Sequence, residues 1–113
     1  MKSGDTIFAV ATPPGRSAIA VVRISGPQAA QAPALFGAAC PEAGRFKLAR
    51  LSASGQVIDE ALILFMQAPH SSTGEDVSEM HCHGSGAVLG LVLEILSDAP
   101  GFRLADAGDR KAS

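Results

Sequence analysis

Apolar and polar positions alternate, or run together, in segments that predict a mixed sheet with a few helices. Thr6–Ala11 (TIFAVA) is β-branched and apolar and reads as a strand. Thr12–Arg16 (TPPGR) ends it, because the prolines supply no ladder donors and Gly15 tolerates positive φ. Ser17–Ser25 (SAIAVVRIS) follows as a second strand, with Ile19, Val21 and Arg23 on one face and Ala20, Val22 and Ile24 on the other. Both faces are mostly apolar, the pattern of a central strand, so Arg23 sits on an apolar face and needs a partner. Ser25, Gly26 and Pro27 resemble a helix start, and the Ala-rich run to Phe36 suits a helix that Pro33 shortens or kinks. After a loop at Cys40–Gly44, Phe46–Ser54 alternates as a half-exposed strand, and Gly55 turns the chain into Val57–Met66, a hairpin. A polar loop, Ala68–Asp76, precedes a short strand, Val77–His83, which would turn Val77, Glu79, His81 and His83 one way and Ser78, Met80 and Cys82 the other. Gly84–Leu96 is helical by composition, with Ser85 as N-cap and Pro100 and Gly101 beyond its end. Its only charge is Glu94, so burial in the domain or against another chain is expected. Phe102–Ala105 returns as a last strand. The fold class predicted is α+β, a mixed β-sheet with two to three helices.

Composition narrows the function. The 113 residues suffice for one domain, and 47% hydrophobic content excludes a disordered chain. A net charge of −2 gives no domain-wide attraction to nucleic acid, and the absence of Trp and Tyr argues against a base-stacking platform. The two cysteines, Cys40 and Cys82, make no disulfide framework, no secretory h-region opens the chain, and no apolar stretch approaches a membrane span. A cytoplasmic location is expected.

Two charged residues carry the candidate chemistry. Arg23 is either half of a structural salt bridge or an anchor for an anionic or acceptor-rich ligand. Glu79 is either an ordinary charged strand residue or a carboxylate accepting two parallel N–H bonds, as the 2-amino-4-oxo edge of a pterin or guanine would offer. His81 and His83 could supply two metal ligands from one strand face, but a third from His70 or Cys40 lacks diagnostic spacing, and no metal site is expected. Cys82 points away from both histidines and is a poor nucleophile. TPPGRS and HGSG could bind anions through backbone N–H groups, yet neither matches the Walker A pattern, so no catalytic residue is assigned.

Asp5–Pro27 (DTIFAVATPPGRSAIAVVRISGP) and Asp59–Gly84 (DEALILFMQAPHSSTGEDVSEMHCHG) closely resemble the N-terminal domain of the MnmE, or TrmE, family of tRNA modification GTPases. The likeness runs to about residue 105, with a variable middle from Gln28 to Val57. It implies a domain similar to the folate-binding fold of one-carbon enzymes, covering residues 1–108, which homodimerises and binds a tetrahydrofolate derivative, 5-formyl- or 5,10-methylene-tetrahydrofolate. It also implies that the family's folate-contacting arginine and glutamate fall on Arg23 and Glu79. In the family, a flavin-dependent partner, MnmG or GidA, joins the full protein in modifying carbon 5 of the wobble uridine of certain tRNAs.

The sequence departs from the family pattern at three places. Ser72 stands where the S-x-TGED loop usually has an aromatic, and Ser85 replaces a second glycine after the histidine. After Gly108 the family continues with a GEFTxRAFxNGK-type segment that carries a further folate-contacting lysine, whereas residues 109–113 read DRKAS. The chain is therefore expected to be a fragment or excised domain with no GTP, magnesium or potassium site and no activity of its own. The alternative is a dimerisation scaffold that has lost ligand binding with that segment, leaving Arg23 and Glu79 to satisfy each other.

Overall fold

The computed structural model describes residues 5–11, 19–71, 73–83 and 85–105. Six strands, β1 (Thr6–Val10), β2 (Ile19–Ser25), β3 (Arg45–Ala53), β4 (Gln56–Met66), β5 (Val77–His83) and β6 (Phe102–Leu104), form one sheet in the order β3-β4-β5-β2-β1-β6. β1 and β6 are parallel and every other pairing is antiparallel, so the sheet is mixed and the α+β reading holds. β2 lies between β1 and β5, the central position its two apolar faces predict. The TPPGR turn, Ser72, Gly84 and the 109–113 tail lie outside the described residues.

Local sequence explains most element ends. Ser54 and Gly55 both take positive φ, 52° and 80°, which matches the two-residue hairpin turn whose twist suits antiparallel strands. The helix α1 (Gly86–Asp98) begins where Ser85 Oγ accepts a hydrogen bond from Val88 N at 3.1 Å, the cap expected from sequence. The Ala-rich run differs from a regular helix. It forms two 3-10 helices, Ala29–Gln31 and Pro33–Phe36. Pro33 brings no N–H and its ring crowds the preceding turn, so the segment settles for short i→i+3 bonds. Ser78 Oγ donates to Ala29 O at 2.9 Å and ties this segment to β5.

The core lies on one face of the sheet. Phe8, Val22, Ile24, Ile63, Met80 and Cys82 meet Phe36, Val92 and Leu96 from the helical elements there, all buried. α1 is less enclosed than its composition suggests: Val92 and Leu96 are buried, while Gly90, Leu91 and Glu94 face outward. The opposite sheet face carries no helix among the described residues. Strand register places Phe46 opposite Leu64 and Leu48 opposite Leu62 on that face, with Phe46 70% and Leu48 60% exposed. Exposed apolar side chains grouped in this way are a common feature of interaction surfaces.

Candidate functional site

Arg23 and Glu79 come together on the sheet face opposite the helical elements. They are directly opposed residues of β2 and β5, although 56 positions separate them in sequence. Arg23 Nε donates to Glu79 Oε2 at 2.9 Å, leaving the terminal guanidinium nitrogens for other acceptors. The second carboxylate oxygen, Oε1, accepts from His81 Nε2 at 3.0 Å, because residues two apart on a strand share a face. Their side chains are 24%, 20% and 29% exposed, so the triad is shielded but reachable. Burial alone would push the Glu79 carboxyl up; the hydrogen bonds and positive charges of His81 and Arg23 outweigh it and hold the group below its ordinary value. Glu79 is therefore an ionised, oriented acceptor at neutral pH.

Beside the pair lies a pocket of about 260 Å³ lined by Arg23, Leu64, Met66, Val77 and Glu79. Apolar walls from β4 and β5 surround one cation and one anion, a combination suited to a flat heterocycle with polar edges. Its volume falls just under the range of about 300–1,000 Å³ usual for small-molecule sites.

The two sequence signatures meet at this corner. Ser25 Oγ of the RISG segment lies 2.9 Å from Thr73 Oγ1 of the TGED loop, and Gly26 N donates to Asp76 O at 3.0 Å. The loop is braced internally: Thr73 Oγ1 accepts from Glu75 N, Ser71 Oγ accepts from Gly74 N, and Ala68 N donates to Asp76 Oδ1. Ser25 and Val77, paired across β2 and β5, are buried beside it. Residues 48 positions apart are thus parts of one structure around the pocket.

Each of the two histidines on β5 is engaged by a carboxylate. His81 is taken by Glu79, and the His83 ring bonds through Nδ1 to Asp59, whose Oδ2 also accepts from His83 N at 2.9 Å. No group of three potential ligands that could hold a metal occurs among the described residues. Cys82 is buried on the core face, and burial, aided by the Asp59 charge, pushes its thiol up to about 11. A buried thiol kept protonated at neutral pH is a poor nucleophile. The Asp59–His83 pairing has no signal in the sequence, since nothing local shows that β4 and β5 pair so that Asp59 reaches His83. The Glu79–His81 hydrogen bond does have one, in the spacing of two.

Comparison with known proteins agrees with the motifs. The family model described as GTP-binding protein TrmE N-terminus matches residues 6–111. The chain is similar to the tRNA modification GTPase MnmE of Cereibacter sphaeroides, 51% identical over 105 residues, and to that of Rhodospirillum rubrum, 47% identical over 119 residues. The MnmE of Phenylobacterium zucineum is 48% identical over 106 residues. Each alignment covers 93% of this chain, which spans only 24% to 26% of the length of those relatives.

Proposed function

The chain belongs to the TrmE N-terminus family, and from that premise we propose that it is the tetrahydrofolate-binding, homodimerising domain of a tRNA wobble-uridine modification GTPase. The observation that carries the ligand reading is Glu79: a carboxylate kept ionised and fixed on both oxygens, at the wall of a mostly apolar pocket. Each oxygen retains acceptor capacity, so the pair can receive the two N–H groups of a pterin edge. Arg23 orients Glu79 and offers its remaining donors to the ligand's acceptors. In the cytoplasm, with an MnmG-like flavin-dependent subunit and tRNA, the bound 5-formyl- or 5,10-methylene-tetrahydrofolate would supply the carbon that becomes attached to the uridine. Arg23 and Glu79 bind and orient; neither is assigned a bond-breaking step.

Calorimetric titration with 5-formyltetrahydrofolate tests this reading. Saturable binding is expected, falling by about tenfold or more in Arg23→Ala as charge-assisted bonds are lost. A folded chain that takes up no folate would instead leave the scaffold reading, which the mutual satisfaction of Arg23 and Glu79 favours.

The homodimer reading rests on the exposed apolar patch of the β3–β4 hairpin. Phe46, Leu48, Leu62 and Leu64 form two cross-strand apolar pairs, and Leu64 also lines the ligand pocket. A second copy placed on this face would bury those side chains and abut the folate site. Phe46→Glu, which puts a charge into that patch on the edge strand β3, is expected to convert a dimeric light-scattering mass to that of a monomer. An unchanged mass would move the interface elsewhere.

A further inference from the structure

The structure assigns to His81 a role of its own: it is a positioning residue that clamps Glu79 in its ligand-accepting orientation without touching the ligand. The inference rests on the folate reading of the pocket and adds to it the residue that sets the carboxylate's geometry. A glutamate side chain has several rotamers, and these turn its two oxygens in different directions. Arg23 fixes one oxygen at 2.9 Å and His81 fixes the other at 3.0 Å. Held by one hydrogen bond alone, the carboxylate can pivot about it; held by both, it cannot.

His81 is suited to act through Glu79. It is absent from the pocket lining, which comprises Arg23, Leu64, Met66, Val77 and Glu79. Its cross-strand neighbours are Val21 on β2 and Leu62 on β4, apolar residues that flank the ring and leave the Glu79 oxygen as its polar partner among the described residues. On its own strand Glu79 and His83 share its face; across the neighbouring strands the charged groups of that face are Arg23 on β2 and Glu60 on β4. Because the ionised carboxylate accepts, the ring must present an N–H at Nε2, and either the neutral Nε2–H tautomer or the imidazolium serves. A glutamine can offer an N–H from the same position, whereas leucine fills the space and offers none.

The test compares His81→Gln and His81→Leu by three readouts: thermal midpoint, 5-formyltetrahydrofolate affinity by calorimetry, and the titration midpoint of the Glu79 side-chain carboxyl by NMR. The leucine variant should stay folded, bind at least about tenfold more weakly, and show a raised Glu79 midpoint, since a bond to the ionised form has been removed. The glutamine variant should retain affinity within about threefold, because a neutral donor still meets the oxygen. Unchanged affinity and an unchanged Glu79 midpoint in folded His81→Leu would overturn the clamp while leaving the folate reading intact. So would equal losses of affinity in both variants with Glu79 unmoved. If the parent chain bound no folate but the Glu79 midpoint still rose in His81→Leu, the clamp would stand and the folate reading would fall.

Discussion

Glu79→Ala is expected to remove measurable 5-formyltetrahydrofolate binding while the chain remains folded. Two charge-assisted hydrogen bonds at about 1.5–3 kcal/mol each would be lost, a reduction in affinity of about a hundredfold or more. Substrate-side N–H groups would also face an apolar wall of Leu64, Met66 and Val77 with no acceptor, which raises the penalty. The fold should tolerate the change. Arg23 and His81 are each about a quarter exposed and can turn to water, so the lost ion pair costs about 0–1 kcal/mol. Glu79→Gln separates shape from charge: one of its two terminal atoms becomes a donor, which repels a donor edge, and affinity should fall nearly as far. Calorimetry and a thermal melt on both variants check the separation. Retained affinity in Glu79→Ala would remove the carboxylate from the pterin role.

The pH dependence follows from the same network. The folded Glu79 carboxyl lies below its ordinary value, so its pairing contributes stability above the unfolded-state carboxylate range. That contribution fades as pH falls through the lowered folded value. Folate affinity carried by the ionised group should therefore persist through the ordinary carboxylate range and weaken only below it. Raising the Glu79 midpoint, as in His81→Leu, shifts that acid limb upward.

Much of this arrangement is legible in the residues, and the exceptions have a common cause. Alternation in β2 places Arg23 on the face opposite Val22 and Ile24, and the same parity rule turns Glu79 and His81 together on β5. The Ser85 cap and the Ser54–Gly55 turn are local signals, decided within a few residues. What local pattern does not contain is strand pairing. That β5 returns beside β2, with the β3–β4 hairpin outside it, decides that Arg23 meets Glu79 and that Asp59 reaches His83. His-x-His is conspicuous and suggests metal ligation; the carboxylates that occupy each ring come from pairing and from strand parity. Gly26 has the sequence context of a helix start, whereas its neighbours in space give it a different task.

Gly26→Ala is expected to cost about 2–6 kcal/mol of unfolding free energy, a large share of the roughly 5–15 kcal/mol that holds a small domain together. Gly26 has φ +141°, a region side chains rarely adopt, which contributes about 1–3 kcal/mol of strain. An added Cβ would lie 2.7 Å from Thr6 Cα, 2.8 Å from Asp5 O and 2.9 Å from Thr6 Oγ1. Two of these are backbone atoms at the start of β1, and they cannot swing aside. Thr6 is buried, its N–H is held by Gly101 O at 2.9 Å, and its Oγ1 accepts from Gln28 N at 2.8 Å. Relief therefore requires β1 to move away from β2, adding about 1–3 kcal/mol of overpacking cost. Gly55→Ala provides the contrast: φ is +80° there, but nothing lies within 4 Å, so only the conformational cost of about 1 kcal/mol remains. Chemical denaturation of both variants should separate them by at least about 1 kcal/mol, and near-equal losses would refute the close approach. Because Gly26 N also donates to Asp76 O, displacement at this position should loosen the TGED loop and weaken ligand binding even where the chain still folds. The glycine after Arg23, Ile24 and Ser25 is thus the point where β1, β2 and the loop beside the pocket are held against one another.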